Sequence, residues 1–213
     1  IFISSKLATS KDLFISNKHD KWISNVYSRG RVHLLRANHD SILTTSKTIL
    51  KDNSTLNCRI DGLQKYSPKR FIIDKNLSIP VTSKIIRTAN KIKTYIFYNL
   101  IDNIKLKKLK RLKVITIRID LKNNHLDFDK IIFFLRNKGF YRVFVEAGIE
   151  FNNFLLENNY INDFYHFYSD ELFGYKGFHN AKFFFNKMNK IMRDKKEIRI
   201  NLFQDKLIKY LLK

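Results

Sequence analysis

The spacing of apolar and polar positions changes period many times along this chain, and each change marks an element. "IFISSKLAT" reads as a strand, and "NVYSRGRVHLLRA" then takes helical spacing, with Ser24 placed as its N-cap and Val26, Leu34 and Leu35 turned to the core. "SILTT" is a short buried strand, "SKTILKD" a helical turn, and "RFIID" (70–74), "TYIFYN" and "VITIRID" are three more strands. The helical pattern resumes in "DFDKIIFFLRNKGF", followed by the strand "YRVFVEAG" and the helix "EFNNFLLENNY". "NDFYHFYSD" is a strand, and "KEIRINLFQDKLIKYLLK" alternates as a hairpin turning at Gln204 and Asp205. Residues 75–93 and 173–196 carry little pattern. Strands alternating with helices predict an α/β fold with a mostly parallel sheet flanked by helices, and the hairpin adds an antiparallel C-terminal edge. No repeat or low-complexity linker interrupts the order, so residues 1–213 are expected to form one domain.

Composition narrows the classes. With 213 residues, 44% of them apolar and 14% aromatic, the chain can bury a sizeable core. No apolar run reaches the roughly 18 residues that span a bilayer, and the first residues lack the charged-then-apolar order of a secretory signal. The single cysteine, Cys58, cannot form an internal disulfide or a multi-cysteine zinc site, and the six histidines show no metal-ligand spacing. A cytoplasmic protein without a metal is expected. The net charge of +22 invites nucleic acid as a partner. However, the scarcity of Gly (6) and Pro (2) beside abundant Lys, Asn, Ile and Phe is the bias of A/T-rich coding, which makes charge partly background. The densest basic run, "KLKKLKRLK" (105–113), interleaves Leu106, Leu109 and Leu112 and reads as the solvated face of a helix. Nucleic acid is therefore not the expected partner.

Two stretches carry candidate chemistry. In "VFVEAGIEFNNFL", Gly148 falls between a strand and a helix start, where open amides and the positive helix end welcome phosphate, although any strand-to-helix turn can use a glycine. Glu146 ends the same strand, where ligands of open α/β sheets collect; it serves equally as a carboxylate capping a nearby amide. In the second stretch, "KWIS" through "VHLLRANHDSILTTSKTILKDNSTLNCR", Trp22, Arg36, Thr48, Asp52 and Arg59 lie beside element ends. Either arginine can grip phosphate with two parallel donors, or pair with Asp40 or Asp52 at the surface. There is no Gly-x-Ser-x-Gly elbow and no Cys-His arrangement.

The order "KLATSKD", "KWIS", "VHLLRANHDSILTTSKTILKDNSTLNCR", "RFIID" and "FVEAGIEFNNFLLENNYINDFYHFYSDELFG" resembles the reductase domain of bacterial bifunctional riboflavin-biosynthesis proteins, over about half the chain. The resemblance implies a dihydrofolate-reductase-like fold that binds NADPH and reduces a phosphoribosylated pyrimidine, 5-amino-6-(5-phosphoribosylamino)uracil, to its ribitylamino product. Hydride would pass to C1 of the ribose in its opened imine form. The family's cofactor positions fall on Ala8, Trp22, Thr48, Asp52 and Lys75 and on the loop of Gly148, Ile149, Glu150, Phe151, Asn152, Asn153 and Phe154. Its substrate positions fall on Asp20, Arg36, Leu56, Arg59 and Glu146. Arg36 and Arg59 would anchor phosphate or uracil, Glu146 would hold the pyrimidine, and Asp52 is a catalytic candidate by location alone. The backbone around Ala8 would lie flat against the nicotinamide, with Ser10 and Asp12 turning the chain outward.

The chain also departs from the family. Leu13 replaces a glycine, Asp20 and Lys75 stand where serines are common, and Glu150 replaces a small polar residue at the helix start. The zinc deaminase domain that precedes this reductase in the family is missing, which implies a fragment or a stand-alone reductase. A homodimer is the expected assembly. Two other readings stay open: a reductase of the same fold acting on another pyrimidine or pterin, and a basic nucleic-acid-binding protein on a degenerate reductase fold.

Overall fold

The computed structural model describes residues 1–18 and 22–213. In chain order the elements are β1 (Phe2–Thr9), β2 (Phe14–Asn17), α1 (Val26–Ala37), β3 (Ser41–Thr45), α2 (Ser46–Asp52), β4 (Lys69–Ile73), α3 (Lys84–Arg87), β5 (Thr94–Tyr98) and α4 (Asn103–Arg111). They continue with β6 (Val114–Arg118), β7 (Leu121–Lys122), β8 (His125–Leu126), α5 (Phe128–Asn137), β9 (Arg142–Glu146) and α6 (Ile149–Glu157). The last are β10 (Asp163–Tyr168), β11 (Gly177–Asn180), α7 (Lys182–Ile191), β12 (Asp194–Glu197) and β13 (Lys206–Leu211). The chain divides into two compact units, one of Ile1 with Leu35–Phe144 and one of Phe2–Leu34 with Val145–Lys213.

In the first unit β3, β4, β5 and β6 pair in parallel, with Leu43 opposite Phe71, Phe71 opposite Tyr95, and Tyr95 opposite Ile115. Parallel strands covered on both faces must be apolar almost throughout, and Ile42, Leu43, Phe71, Ile72, Ile96 and Phe97 are buried accordingly. The Phe71 ring stacks on Tyr95 at 4.5 Å and meets Phe140 edge-on at 4.9 Å. Asp127 caps α5 by accepting from the Asp129 and Lys130 amides, and the helix buries Phe128, Ile131 and Leu135. The basic run forms α4 and its end, with Leu109 buried and most of its lysines exposed, as a solvated face requires.

In the second unit β1 pairs in parallel with β10, from Ser4 opposite Asp163 to Thr9 opposite Tyr168. β13 then pairs antiparallel with β10, and β12 with β13, which gives the antiparallel C-terminal edge. The hairpin differs from the expected one. Its first strand ends at Glu197 and residues 198–205 form the connection, because the Asp205 carboxylate is anchored by the Asn25 amide (2.9 Å) and the Ser28 hydroxyl (2.6 Å) instead of sitting in a tight turn. The start of α1 also differs: Asn25, not Ser24, is the cap, accepting from the Ser28 amide at 3.0 Å, and Val26 is exposed while Val32 and Leu35 are buried. α7 lies in a stretch without pattern and buries Phe184, Phe185 and Met188, with the Phe184 ring 5.0 Å from Phe164.

Candidate functional site

β1 delivers Ala8, half-buried, near its C-terminal end, followed by Thr9 and Ser10, which are fully buried. The chain then reverses: the Leu13 amide donates to the Ser10 carbonyl (3.0 Å), and the Phe14 amide to the Ser10 hydroxyl oxygen (2.9 Å). That hydroxyl donates to Asp12 at 2.6 Å, and Asp12 also accepts from the Phe173 and Gly174 amides at 3.1 and 2.7 Å. Partial burial raises the Asp12 pKa, but these hydrogen bonds outweigh it and hold the carboxyl below its ordinary range. Ser10 and Asp12 thus turn the chain as expected. Leu13 keeps the left-handed conformation, φ 66, that a glycine would take, at a cost of about 1 kcal/mol.

β9 ends on Glu146, which is 7% exposed, and the Lys6 ammonium lies 3.6 Å from its carboxylate. Lys6 precedes Ala8 by two residues on the same strand face, and that period of two is the signal that could have found it. Gly148 is the N-cap of α6 with φ −71 and ψ 175 and, having no side chain, gives no capping hydrogen bond of its own. A Cβ built on Gly148 meets nothing within 4 Å. The glycine therefore serves neither a positive φ nor internal packing; it leaves the cap position without a side chain, with the exposed Glu150 in the first turn. Asn152 is fully buried: its amide donates to the Ala147 and Gly148 carbonyls, both at 3.1 Å, and its oxygen accepts from Ser5 at 2.5 Å. Its side chain holds the turn from beneath. Ile149, Asn153 and Phe154 are half-buried, and the Phe151 ring stacks on Phe154 at 5.9 Å. Trp22 is 54% exposed with the Arg29 guanidinium 5.0 Å from its ring centroid, and Asp20 lies outside the described residues.

The other candidates belong to the first unit. Thr45 caps α2, with its hydroxyl 3.2 Å from that of Thr48, and Asp52 ends the helix exposed. Asn53 closes α2 in the left-handed region, and the loop behind it carries Leu56, buried at φ 49, and Arg59, exposed. Arg36 is 9% exposed and donates to the Asn57 carbonyl at 2.9 Å, which ties α1 to the loop that carries Leu56 and Arg59. Asp40 instead accepts from the Tyr141 and Arg142 amides at 3.0 and 2.8 Å. Lys75, on the loop after β4, donates to the Asn124 carbonyl (2.9 Å) and side-chain oxygen (3.1 Å), which commits much of its ammonium. A groove of about 590 Å³ lies between α4 and β6, with Lys107, Lys110 and Ile115 among its walls; none of the predicted site residues lines it. Among the described residues no His, Cys, Asp and Glu cluster could hold a metal ion, and no helix is long and apolar enough to cross a membrane.

The chain is similar to known proteins. The family model described as the RibD C-terminal domain matches residues 2–179. The riboflavin biosynthesis protein RibD of Actinobacillus pleuropneumoniae is 24% identical over 177 residues, covering 82% of this chain and 46% of that protein. The 5-amino-6-(5-phosphoribosylamino)uracil reductase of Buchnera aphidicola subsp. Acyrthosiphon pisum is 28% identical over 174 residues, 75% of this chain and 80% of that protein. The chain spans about half the length of the RibD relatives it matches. Among solved structures, RibD of Acinetobacter baumannii superposes with a TM-score of 0.77 at 21% identity, over 100% of this chain and 58% of that one. Enterococcus faecalis dihydrofolate reductase, complexed with NADP(H), gives 0.50 at 10% identity over 99% and 95%. The fold is dihydrofolate-reductase-like, with a mostly parallel sheet flanked by helices. With the family model matched from β1 through the start of β11, the chain belongs to the RibD C-terminal domain family.

Proposed function

We propose that residues 1–213 form an NADPH-dependent reductase domain acting on 5-amino-6-(5-phosphoribosylamino)uracil in riboflavin biosynthesis. The observation that carries this reading is the glycine cap of α6 directly behind the buried Glu146, inside the span of the family model. The name of the Buchnera relative, which this chain covers over 80% of its length, supports the substrate. The NADP(H) complex of the dihydrofolate reductase supports the cofactor.

The chain's own groups fit a dinucleotide. The N-terminal end of α6 carries roughly half a positive charge, and Gly148 lets a pyrophosphate approach where any side chain would stand. Ala8 offers a small side chain near the end of β1 for a flat ring, and Thr48 a hydroxyl at the start of α2. When bound, NADPH supplies the hydride for C1 of the ribose. On the substrate side, Arg36 and Arg59 bind phosphate or uracil, each charged hydrogen bond contributing about 1.5 to 3 kcal/mol. Glu146, its charge balanced by Lys6, orients the pyrimidine. The protein's task is to fix two rings against each other, so positioning supplies most of the rate. Following NADPH absorbance with the phosphoribosylaminouracil compound tests the reading; no oxidation above background would refute it.

A further inference from the structure

The loop that carries Leu56 and Arg59 is shaped against its own preferences. Asn53 closes α2 in the left-handed region, as asparagine readily does, but Leu56 sits at φ 49, where a bulky side chain costs about 1 kcal/mol or more, and it is nevertheless 3% exposed. Something outside the loop must hold it. The Cys58 amide donates to the Ser67 hydroxyl oxygen at 3.1 Å, Arg36 donates to the Asn57 carbonyl, and Arg70 donates to the Thr55 carbonyl at 3.0 Å.

Arg70 is the unusual member of this set. It is the second residue of β4, opposite Thr94 in the ladder, and is 0% exposed. All five of its N–H groups are used. Nε donates to the Thr94 hydroxyl (2.9 Å), Nη1 to the Thr55 carbonyl and the Thr88 hydroxyl (2.8 Å), and Nη2 to the Ile92 carbonyl (2.9 Å) and the Thr94 hydroxyl (2.6 Å). Thr88 and Thr94 send their own protons on to the Lys84 and Ile92 carbonyls, leaving their oxygens to accept from the guanidinium. Every acceptor is neutral. Among the described residues no carboxylate pairs with Arg70, and burial brings its pKa down to about 10, so it stays charged at neutral pH. A buried, unpaired charge is costly where an apolar residue would pack freely. What the guanidinium adds is a rigid planar fork: four of its bonds grip the frame formed by the end of α3 and the start of β5, and the remaining one reaches the loop.

We propose that Arg70 is a positioning residue that locks residues 53–59 to this frame, so that Leu56 and Arg59 stand preformed for the phosphoribosylated pyrimidine. The substrate part rests on the function proposed above; the locking of the loop does not. The test is Arg70→Lys, whose ammonium keeps the charge but cannot span frame and loop together. Amide hydrogen exchange at residues 55–59 should quicken about tenfold or more while β4 and β5 amides keep their wild-type rates. The KM for the phosphoribosylaminouracil compound should rise about tenfold, with kcat and the KM for NADPH within about twofold. Loop amides exchanging as in wild type, or all amides quickening alike, would overturn the proposal. If the wild-type protein does not reduce that compound, the function reading fails and the exchange data alone decide the locking. Should Arg70→Lys not fold, Thr88→Val removes one frame acceptor and should quicken the same amides by a smaller factor; unchanged loop exchange there also overturns the proposal.

Discussion

His166 should make this protein acid-sensitive in a way that a single substitution removes. It lies on β10 between Leu7 of β1 and Ile208 of β13, 3% exposed, with its ring 4.1 Å from Phe185. Its Nε2 is 2.8 Å from the Thr9 hydroxyl, whose proton is directed to the Ser10 carbonyl at 2.9 Å. Nε2 must therefore carry the hydrogen, and Nδ1 keeps a lone pair that is buried without a partner. A proton on Nδ1 would be a donor with no acceptor inside an aromatic cluster. Burial, reinforced by the charge of Lys195, depresses the pKa from 6.5 to about 3. The folded-state value is lowered, so the neutral ring's contribution is fully present above the unfolded value of 6.5 and is lost as pH falls towards 3. At about 1.4 kcal/mol per pH unit, about 2 kcal/mol is gone by about pH 5 and about 4 kcal/mol by about pH 3, comparable with a marginal domain's whole stability.

His166→Leu keeps an apolar side chain of similar size and cannot titrate. Urea unfolding of both proteins, measured by circular dichroism at about pH 7 and about pH 5, isolates the histidine because the other titrating groups cancel in the difference. Wild type should lose about 2 kcal/mol more than the variant between the two conditions. Equal losses would show that the ring accepts a proton in the folded state, which would refute the orphaned Nδ1.

Three other substitutions test separate parts of the structure. Gly148→Ala should leave the melting temperature close to wild type, since φ is −71 and the added methyl meets no protein atom, while NADPH affinity measured by titration falls more than tenfold, or about 1.4 kcal/mol; normal affinity would place the pyrophosphate elsewhere. Gly177→Ala should destabilise by about 1 to 3 kcal/mol, because a Cβ there comes within 2.3 Å of the Phe14 ring; adding Phe14→Ala should make the two costs less than additive, and strict additivity would mean that the ring is not the obstacle. Arg59→Ala should raise the KM for the phosphoribosylaminouracil compound about tenfold with NADPH affinity unchanged, and a change confined to NADPH would move Arg59 to the cofactor side.

The strands were readable from sequence because a parallel sheet buried on both faces demands short apolar runs, and "SILTT", "RFIID" and "TYIFYN" meet that demand within a residue or so at each end. α7 was not readable. Three consecutive phenylalanines, 183 to 185, fill exposed and buried positions alike, so the helical period vanishes from the pattern although Phe183 is 73% exposed and Phe184 is 1%. The C-terminal hairpin was read in the right order but with its first strand misplaced, since alternation in "KEIRINLF" cannot reveal that Asp205 is bound to the start of α1.

In the candidate site, residue type was legible and occupation was not. Sequence position placed Asn152 in the glycine loop beside Asn153, and nothing in the pattern separates the two. Yet α6 turns Asn152 inward, where Ser5 and two carbonyls use its polar atoms, and leaves Asn153 half-buried. Lys75 likewise falls on a cofactor position in the sequence, yet the hairpin of β7 and β8 places Asn124 against its ammonium. Arg70 drew no attention, because an arginine at the head of an apolar strand normally reaches for water. Its burial depends on oxygens contributed from residues 55 to 94, none of them charged. A charged side chain announces its role in sequence only when its partner is charged or adjacent. Where the partners are backbone carbonyls and threonine hydroxyls gathered by the fold, the same letter in the sequence denotes a ligand, a strut or a solvated surface, and only the register of the strands distinguishes them.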